Sequence, residues 1–293
     1  MPTNEERREA AKRKLDSQVQ SHAAAVRRRR IIAVAGSVLA LLVATALVAF
    51  FVFDVGDSAD TASDTGVPTT AAQTSPPPRG GPGQLPEFTP PAGLGADCQY
   101  PASRQKAAKE VEKPRTGRVP TEPPTISASM ATDQGNIGLT LNNAEAPCTV
   151  NSFASLAQKG YFDDTVCHRL TTATGLGVLQ CGDPSGTGSG GPGYQFDNEY
   201  PTNQYAKDDP ALQTPVLYPR GTLAMANAGP GTNGSQFFLV YKDSQLPPNY
   251  TAFGTIDATG LETLDKIAAD GVAGGAEDGK PATEVTVTSI LLD

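Results

Sequence analysis

The stretch 221–240, GTLAMANAGPGTNGSQFFLV, decides the reading of this chain. One apolar run, Leu223-Ala224-Met225-Ala226, enters a segment of glycine and asparagine, and a second, Phe237-Phe238-Leu239-Val240, leaves it. Asn233-Gly234 suits a turn that needs positive φ, so the flanks are expected to be the strands of a hairpin. A polar turn between buried strands is also where a rigid scaffold presents a site. On these residues alone an ordinary hairpin is the plain alternative.

Strand patterns continue outward from this stretch, now as alternation. Ile126–Met130 and Ile137–Leu141 alternate about a turn at Asp133-Gln134-Gly135-Asn136, which predicts a hairpin. Thr149 is the expected cap of a helix over 150–159, with Val150, Phe153, Ala154 and Ala157 on one face and Gly160 ending it. Residues 165–170, 177–180, 222–226, 236–241, 253–256 and 284–292 read as strands, and 261–269 as a second amphipathic helix. Many short strands with two isolated helices predict an all-β barrel capped at its ends. The pattern fixes neither the number of strands nor closure.

Towards the N-terminus the composition changes sharply. Residues 1–30 carry nine Lys/Arg against four Asp/Glu, which leaves 14 basic and 27 acidic residues for 31–293. An acidic body argues against nucleic acid as a partner, because a phosphate backbone demands clustered Lys and Arg. Residues 31–53 are uncharged and long enough to cross a bilayer, and Arg27–Arg30 precede them directly. The positive-inside rule then keeps the basic segment 1–30 cytoplasmic and puts everything after Phe53 outside. A cleaved signal peptide is the rival, since Ala44-Thr45-Ala46 matches a cleavage pattern. Leu47–Phe53 stays apolar beyond it, however, which favours an uncleaved single-pass anchor. Residues 54–96, rich in Thr, Ser, Ala, Gly and Pro, read as a disordered linker with a reach of ~35–40 Å. Residues 97–124 read as an extension packed on the folded domain, 125–293.

Conventional catalytic sets are absent. His168 is the one histidine beyond the span, and no Gly-x-Ser-x-Gly elbow accompanies it, which argues against a Ser-His-Asp hydrolase. Gly186-x-Gly188-x-x-Gly191 fits a dinucleotide fingerprint, but Pro192 prevents a helix from starting there. Asn233-Gly234-Ser235 and Asn249-Tyr250-Thr251 fit the glycosylation sequon, though both fall in the region of the suspected site. With four cysteines, no C-x-x-C and one histidine beyond the span, a metal site is not expected. An exported compartment permits disulfides, and four cysteines allow three pairings.

MANAGP and TNGSQFF, together with His168-Arg169 and Gln180-Cys181-Gly182-Asp183, closely resemble the signature of cyclophilin-type peptidyl-prolyl isomerases, over roughly Thr125 to Asp293. The resemblance implies a closed eight-stranded antiparallel barrel with a helix at each end, proline-containing peptides as ligands, no metal or organic cofactor, and a monomer. It also implies roles for particular residues. Arg169 matches the catalytic arginine and Gln180 the glutamine that supports it. Phe238 matches the floor of the proline pocket, with Val178, Leu246 and Tyr250 at further pocket positions. Ala226, Asn227 and Gln236 match the surface that pairs with the substrate backbone, and His168 accompanies Arg169 at the substrate-binding surface. Cys167 and Cys181 flank the segment between two of the motifs; if it is a hairpin they face each other, and Cys98 is left for Cys148.

Those roles suit the chemistry. The barrier to X-Pro rotation is partial double-bond character, ~18–20 kcal/mol, and no bond has to break. A twisted amide gains lone-pair density on the prolyl nitrogen, where a fixed cation donating a hydrogen bond stabilises it. The chain departs from the family at four places, one of them Tyr250, which stands where the family has a His near the pocket and keeps a ring and a hydrogen-bonding tip. Ten residues separate Arg169 from Gln180, three more than usual. Gly177 stands where a Phe is usual, with Leu176 a candidate substitute, and Gln245 stands where Trp or Phe is common, which predicts weak cyclosporin binding. The leading expectation is a membrane-anchored isomerase and folding chaperone for exported proteins, on an actinobacterial-like surface. The alternative is a non-catalytic proline-peptide-binding chaperone or adhesin.

Overall fold

The computed structural model describes residues 83–293. The basic segment, the span over 31–53 and most of the linker lie outside the described residues. Among those residues no helix is long and apolar enough to cross a membrane.

In chain order the elements are β1 (Ile126–Thr132), β2 (Gly135–Leu141), α1 (Pro147–Gln158), β3 (Thr165–Val166), β4 (Arg169–Thr171), β5 (Gly177–Cys181), β6 (Val216–Tyr218), β7 (Thr222–Met225), β8 (Phe237–Lys242), β9 (Ser244–Leu246), β10 (Ala252–Ile256), α2 (Ala258–Asp270), β11 (Asp278–Gly279) and β12 (Thr286–Leu292). Ten strands form one antiparallel sheet in the order β11-β4-β5-β8-β7-β10-β2-β1-β12-β3, and β6 pairs with β9 separately. β3, at one edge, and β4, next to the other, are joined by Cys167 and His168 alone. So short a link reaches only ~11 Å, so the sheet curls until its ends nearly meet.

The fold is all-β with two helices, as expected, but the strand account needs correcting. The main sheet has ten strands, eight of them three residues or longer, and no ladder joins its two edges among the described residues. The expected strand over 165–170 is broken into β3 and β4 where the chain passes from one edge to the other. Strands of two or three residues, such as β6, β9 and β11, are too short to show a period.

Alternation sorts side chains between two clusters. Leu223, Met225, Phe237 and Leu239 point inside the curl with Phe153, Phe162 and Phe253, whereas Ala224, Phe238 and Val240 face outward. The outward set is itself covered by Val216, Tyr218, Tyr200 and Leu85. Burial on both faces explains the unbroken apolar runs of β7 and β8.

Helix α1 begins at Pro147 rather than Val150, and Thr149 does not cap it. Proline suits the first helical turn because its missing N–H would have been orphaned. The free amides are met from a distance. Glu199 Oε1 accepts from Cys148 N (3.0 Å), and Oε2 accepts from Thr149 N and Oγ1 (both 2.7 Å). Burial drives the Glu199 pKa up, against the lowering effect of those hydrogen bonds. Helix α2 is capped by Asp257, whose Oδ1 accepts from Gly260 N at 2.6 Å.

The linker reading also ends too late. Residues 84–96 are part of the folded body: Leu85 is 6% exposed, Gln84 bridges Leu217, and Phe88 meets Tyr200 edge-on at 5.7 Å. Two apolar residues among prolines gave too weak a period to be read. The extension 97–124 packs on the domain, where Cys98 is bonded to Cys148 and the Tyr100 hydroxyl donates to Cys148 O at 2.7 Å.

Candidate active site

The sheet register builds the site. Arg169 lies opposite Gln180 across β4 and β5, Gln180 opposite Phe238 across β5 and β8, and Phe238 opposite Ala224 across β8 and β7. Residues directly opposite share a face, so arginine, glutamine and phenylalanine stand in one row on the outside of the curl, ~10 Å from first to last. The second disulfide, Cys167–Cys181, ties the chain beside Arg169 to the end of β5.

The guanidinium is held on two sides. Arg169 Nε and Nη2 donate to Asp278 Oδ1 and Oδ2, both at 2.7 Å, and Nη1 donates to Gln180 Oε1 at 3.2 Å. Hydrogen bonding to Asp278 raises the Arg169 pKa further and holds the Asp278 carboxyl below its ordinary value. An arginine has five N–H bonds; three are used, which leaves one on each Nη. Asp278 comes from β11, which pairs with β4, and sequence reading missed it because two residues show no strand period.

Orientation passes inward along amides. Gln180 Nε2 donates to Gln236 Oε1 at 2.8 Å, and Gln236 Nε2 donates to Gly188 O at 3.0 Å and Gly190 O at 2.9 Å. Two carbonyls require the Gln236 amino group, so its oxygen faces Gln180, and Gln180 in turn presents its oxygen to Arg169. The glycine loop that supplies those carbonyls is wound on Asp183. Oδ1 accepts from Ser185 N (2.8 Å) and Oγ (2.7 Å), and Oδ2 from Gly188 N (2.7 Å) and Gly190 N (2.9 Å). Burial acts to raise the Asp183 pKa, but the bonds from the Ser185 hydroxyl and the Gly190, Ser185 and Gly188 amides outweigh it and hold it below 3.8. A Cβ at Gly190 would lie 2.0 Å from Asp183 Oδ1. The apparent dinucleotide fingerprint is therefore a carboxylate-centred loop.

The apolar pocket gathers around Phe238. Tyr250 meets its ring edge-on at 5.7 Å, and Val178, Leu246, Ala226 and Leu176 belong to the same cluster. Gly177 cannot carry an aromatic ring, because a Cβ there would lie 2.7 Å from Lys242 Cβ; Leu176 stands in the cluster beside it. Gln245 is exposed on β9.

The turn expected at Asn233-Gly234 is not one. The positive φ values fall at Gly229 and Gly231, and β7 and β8 are joined by the long loop 226–236. Asn233 is fully buried, with Nδ2 donating to Phe196 O (3.2 Å) and Asn198 Oδ1 (2.8 Å), which removes it as a glycosylation site. Asn227 Nδ2 is occupied by Asn249 O at 2.8 Å and Asn233 Oδ1 at 3.2 Å. What Asn227 can offer a peptide is its backbone, unpaired among the described residues. His168 is not brought to the row: its ring packs 3.0 Å from where a Gly188 Cβ would be, with both nitrogens buried and unpartnered. Burial lowers its pKa below the ordinary histidine value, against the raising effect of the Asp183 carboxylate.

A curled antiparallel sheet carrying a fixed cation, an amide relay and an apolar pocket, without a paired nucleophile and base, defines a site for turning or holding a ligand. Residues 127–291 match the model of the family described as cyclophilin type peptidyl-prolyl cis-trans isomerase/CLD, and the chain belongs to that family as an isomerase of X-Pro bonds. It is 71% identical over 209 residues, 71% of this chain and 68% of the relative, to the probable peptidyl-prolyl cis-trans isomerase B of Mycobacterium tuberculosis. It is 59% identical to that of Mycobacterium leprae over the full length of both chains. A crystal structure of a Cryptosporidium parvum cyclophilin-type isomerase covers 58% of this chain and 98% of its own, at 31% identity and a TM-score of 0.46.

Proposed function

We propose that Arg169 catalyses rotation about the X-Pro bond by donating to the prolyl nitrogen as the amide twists. The proline ring sits on Phe238, walled by Val178, Leu246 and Tyr250. The backbone at Ala226 and Asn227 holds the peptide strand, and Gln180 holds the guanidinium in register. The planar amide offers the nitrogen lone pair to its own carbonyl and the twisted one releases it, so a donor at the nitrogen binds the transition state better than either isomer. The observation that carries this reading is the single row of Arg169, Gln180 and Phe238 across three neighbouring strands.

The clients on this reading are exported proteins, and the domain stands outside a membrane on the span over 31–53. The run Arg27–Arg30 before an uncharged stretch supports the anchor. Two disulfides with no free cysteine among the described residues support an oxidising compartment.

The test is cis/trans exchange of a short X-Pro peptide followed by NMR, with the full-length protein and with Arg169→Ala. Acceleration by the parent that is mostly lost in a folded variant is expected. A parent that binds the peptide without accelerating exchange would identify a peptide-holding chaperone instead.

A further inference from the structure

A groove of about 450 Å³ opens beside the amide relay. Gln180, Ala226, Asn227 and Gln236 line it together with the glycine loop 188–193. Its outer wall is not part of the 127–291 region that defines the family. Ser103, Gln105 and Lys106, from the extension, supply it.

That wall is built into the fold. Ser103 N donates to Gly193 O at 3.0 Å and Ala108 N to Gly191 O at 2.9 Å, so the extension runs beside the glycine loop like a short added strand. Ala102 bridges Tyr194, and the Gln105 side chain donates to Ser189 O. At its start the extension is tied to α1 by Cys98–Cys148. The segment therefore stays in place when a peptide enters.

Every other residue lining the groove is uncharged: glycines, Ser, Thr, Asn, Gln, Ala, Pro and Tyr. Lys106 is the single charge, exposed and without an ion pair or hydrogen bond among the described residues. Of the apolar cluster around Phe238, Ala226 alone also lines the groove, so a peptide whose proline lies on Phe238 and whose backbone passes Ala226 and Asn227 enters the groove by the flank that follows Ala226.

Building on the isomerase mechanism above, we infer that the extension makes the groove a specificity site. Lys106 selects X-Pro segments that carry an Asp or Glu close to the proline, on the flank that occupies the groove. An unpaired ammonium facing neutral walls attracts a carboxylate and repels a lysine. The site is open to water, so the discrimination is modest and salt-sensitive.

The experiment uses the full-length protein and a set of X-Pro peptides with Ala, Glu or Lys at each of the two positions on either side of the proline. Both kcat/KM and peptide Kd are measured at low and at high salt. The parent is expected to prefer Glu over Lys by about fivefold at one flank, with the preference shrinking in 1 M salt. Lys106→Glu is expected to reverse the order at that flank alone, leaving the all-Ala peptide within about twofold of the parent. An unchanged Glu-to-Lys ratio in Lys106→Glu, with the all-Ala rate retained, overturns the inference. If the parent fails to accelerate even the all-Ala peptide, the catalytic mechanism falls, and the Kd ratios still decide the role of Lys106. A reversed Kd ratio sustains it and an unchanged one ends it.

Discussion

Replacing Asp183 by Asn should damage stability and catalysis together, although Asp183 touches neither Arg169 nor the proline pocket. The carboxylate is fully buried; Oδ1 accepts from the Ser185 amide and hydroxyl, and Oδ2 from the Gly188 and Gly190 amides, with a long third bond from the Thr187 hydroxyl at 3.5 Å. An asparagine keeps one accepting oxygen and turns an amino group toward the other pair of donors. Two charge-assisted bonds are lost, at ~1.5 kcal/mol each on the low side, so unfolding in urea should be easier by about 3 kcal/mol. The freed loop carries the carbonyls of Gly188 and Gly190 that orient Gln236, and through it Gln180 and Arg169. Loss of ~1.4 kcal/mol of orientation there lowers kcat/KM about tenfold. The pH dependence has a definite sign. The folded pKa lies below the ordinary aspartate value, so the contribution of Asp183 is complete above that ordinary value and is lost as pH falls through the folded one. The parent should lose stability on acidification more steeply than the variant. Urea curves at several pH values and peptide exchange rates are the assays. A variant within 1 kcal/mol of the parent, with an unchanged rate and the same acid limb, would refute the chain of support traced from Asp183 to Arg169.

Two further predictions follow from the same contacts. Asp278→Asn should change stability by less than about 1 kcal/mol, because the pair is 37% and 54% exposed. It should nonetheless lower kcat about three- to tenfold through a less fixed guanidinium, and thermal unfolding beside exchange kinetics separates the two effects. Leu85→Ala removes a 6% exposed side chain from the cluster shared with Phe238. It should cost about 2 kcal/mol in urea unfolding, at the low end for a buried leucine, with earlier proteolysis near residue 85; no change in either would show that 83–91 does not dock.

What could be read from the residues follows from the range of the interactions. The pairing of β7 with β8 and the hairpin of β1 with β2 were visible because both rest on local patterns, apolar runs in the first and alternation in the second, over four residues or more. The row Arg169-Gln180-Phe238 became visible through resemblance, since each residue alone reads as ordinary strand. Asp278, 109 residues from Arg169, and Glu199, 51 residues from Cys148, act across distances that no sequence period records. The turn at Asn233-Gly234 misled for a related reason. Asn-Gly favours a tight turn locally, but burial against Phe196 and Asn198 overrode that preference and moved the positive φ to Gly229 and Gly231. Lys106 stood in a mixed-charge stretch with nothing to mark it until the extension was seen beside the glycine loop.

The central claim is that Arg169 acts on the twisted amide rather than on the bound peptide. The direct measurement compares Arg169→Ala with the parent for the same X-Pro peptide, taking Kd from titration and kcat from exchange line shapes at saturation. Removing a donor that works only in the transition state should lower kcat by about 10²-fold or more and leave Kd within about threefold. A variant that keeps its kcat, or whose Kd rises in step with the loss of kcat/KM, would contradict the account and make Arg169 a peptide-binding residue only.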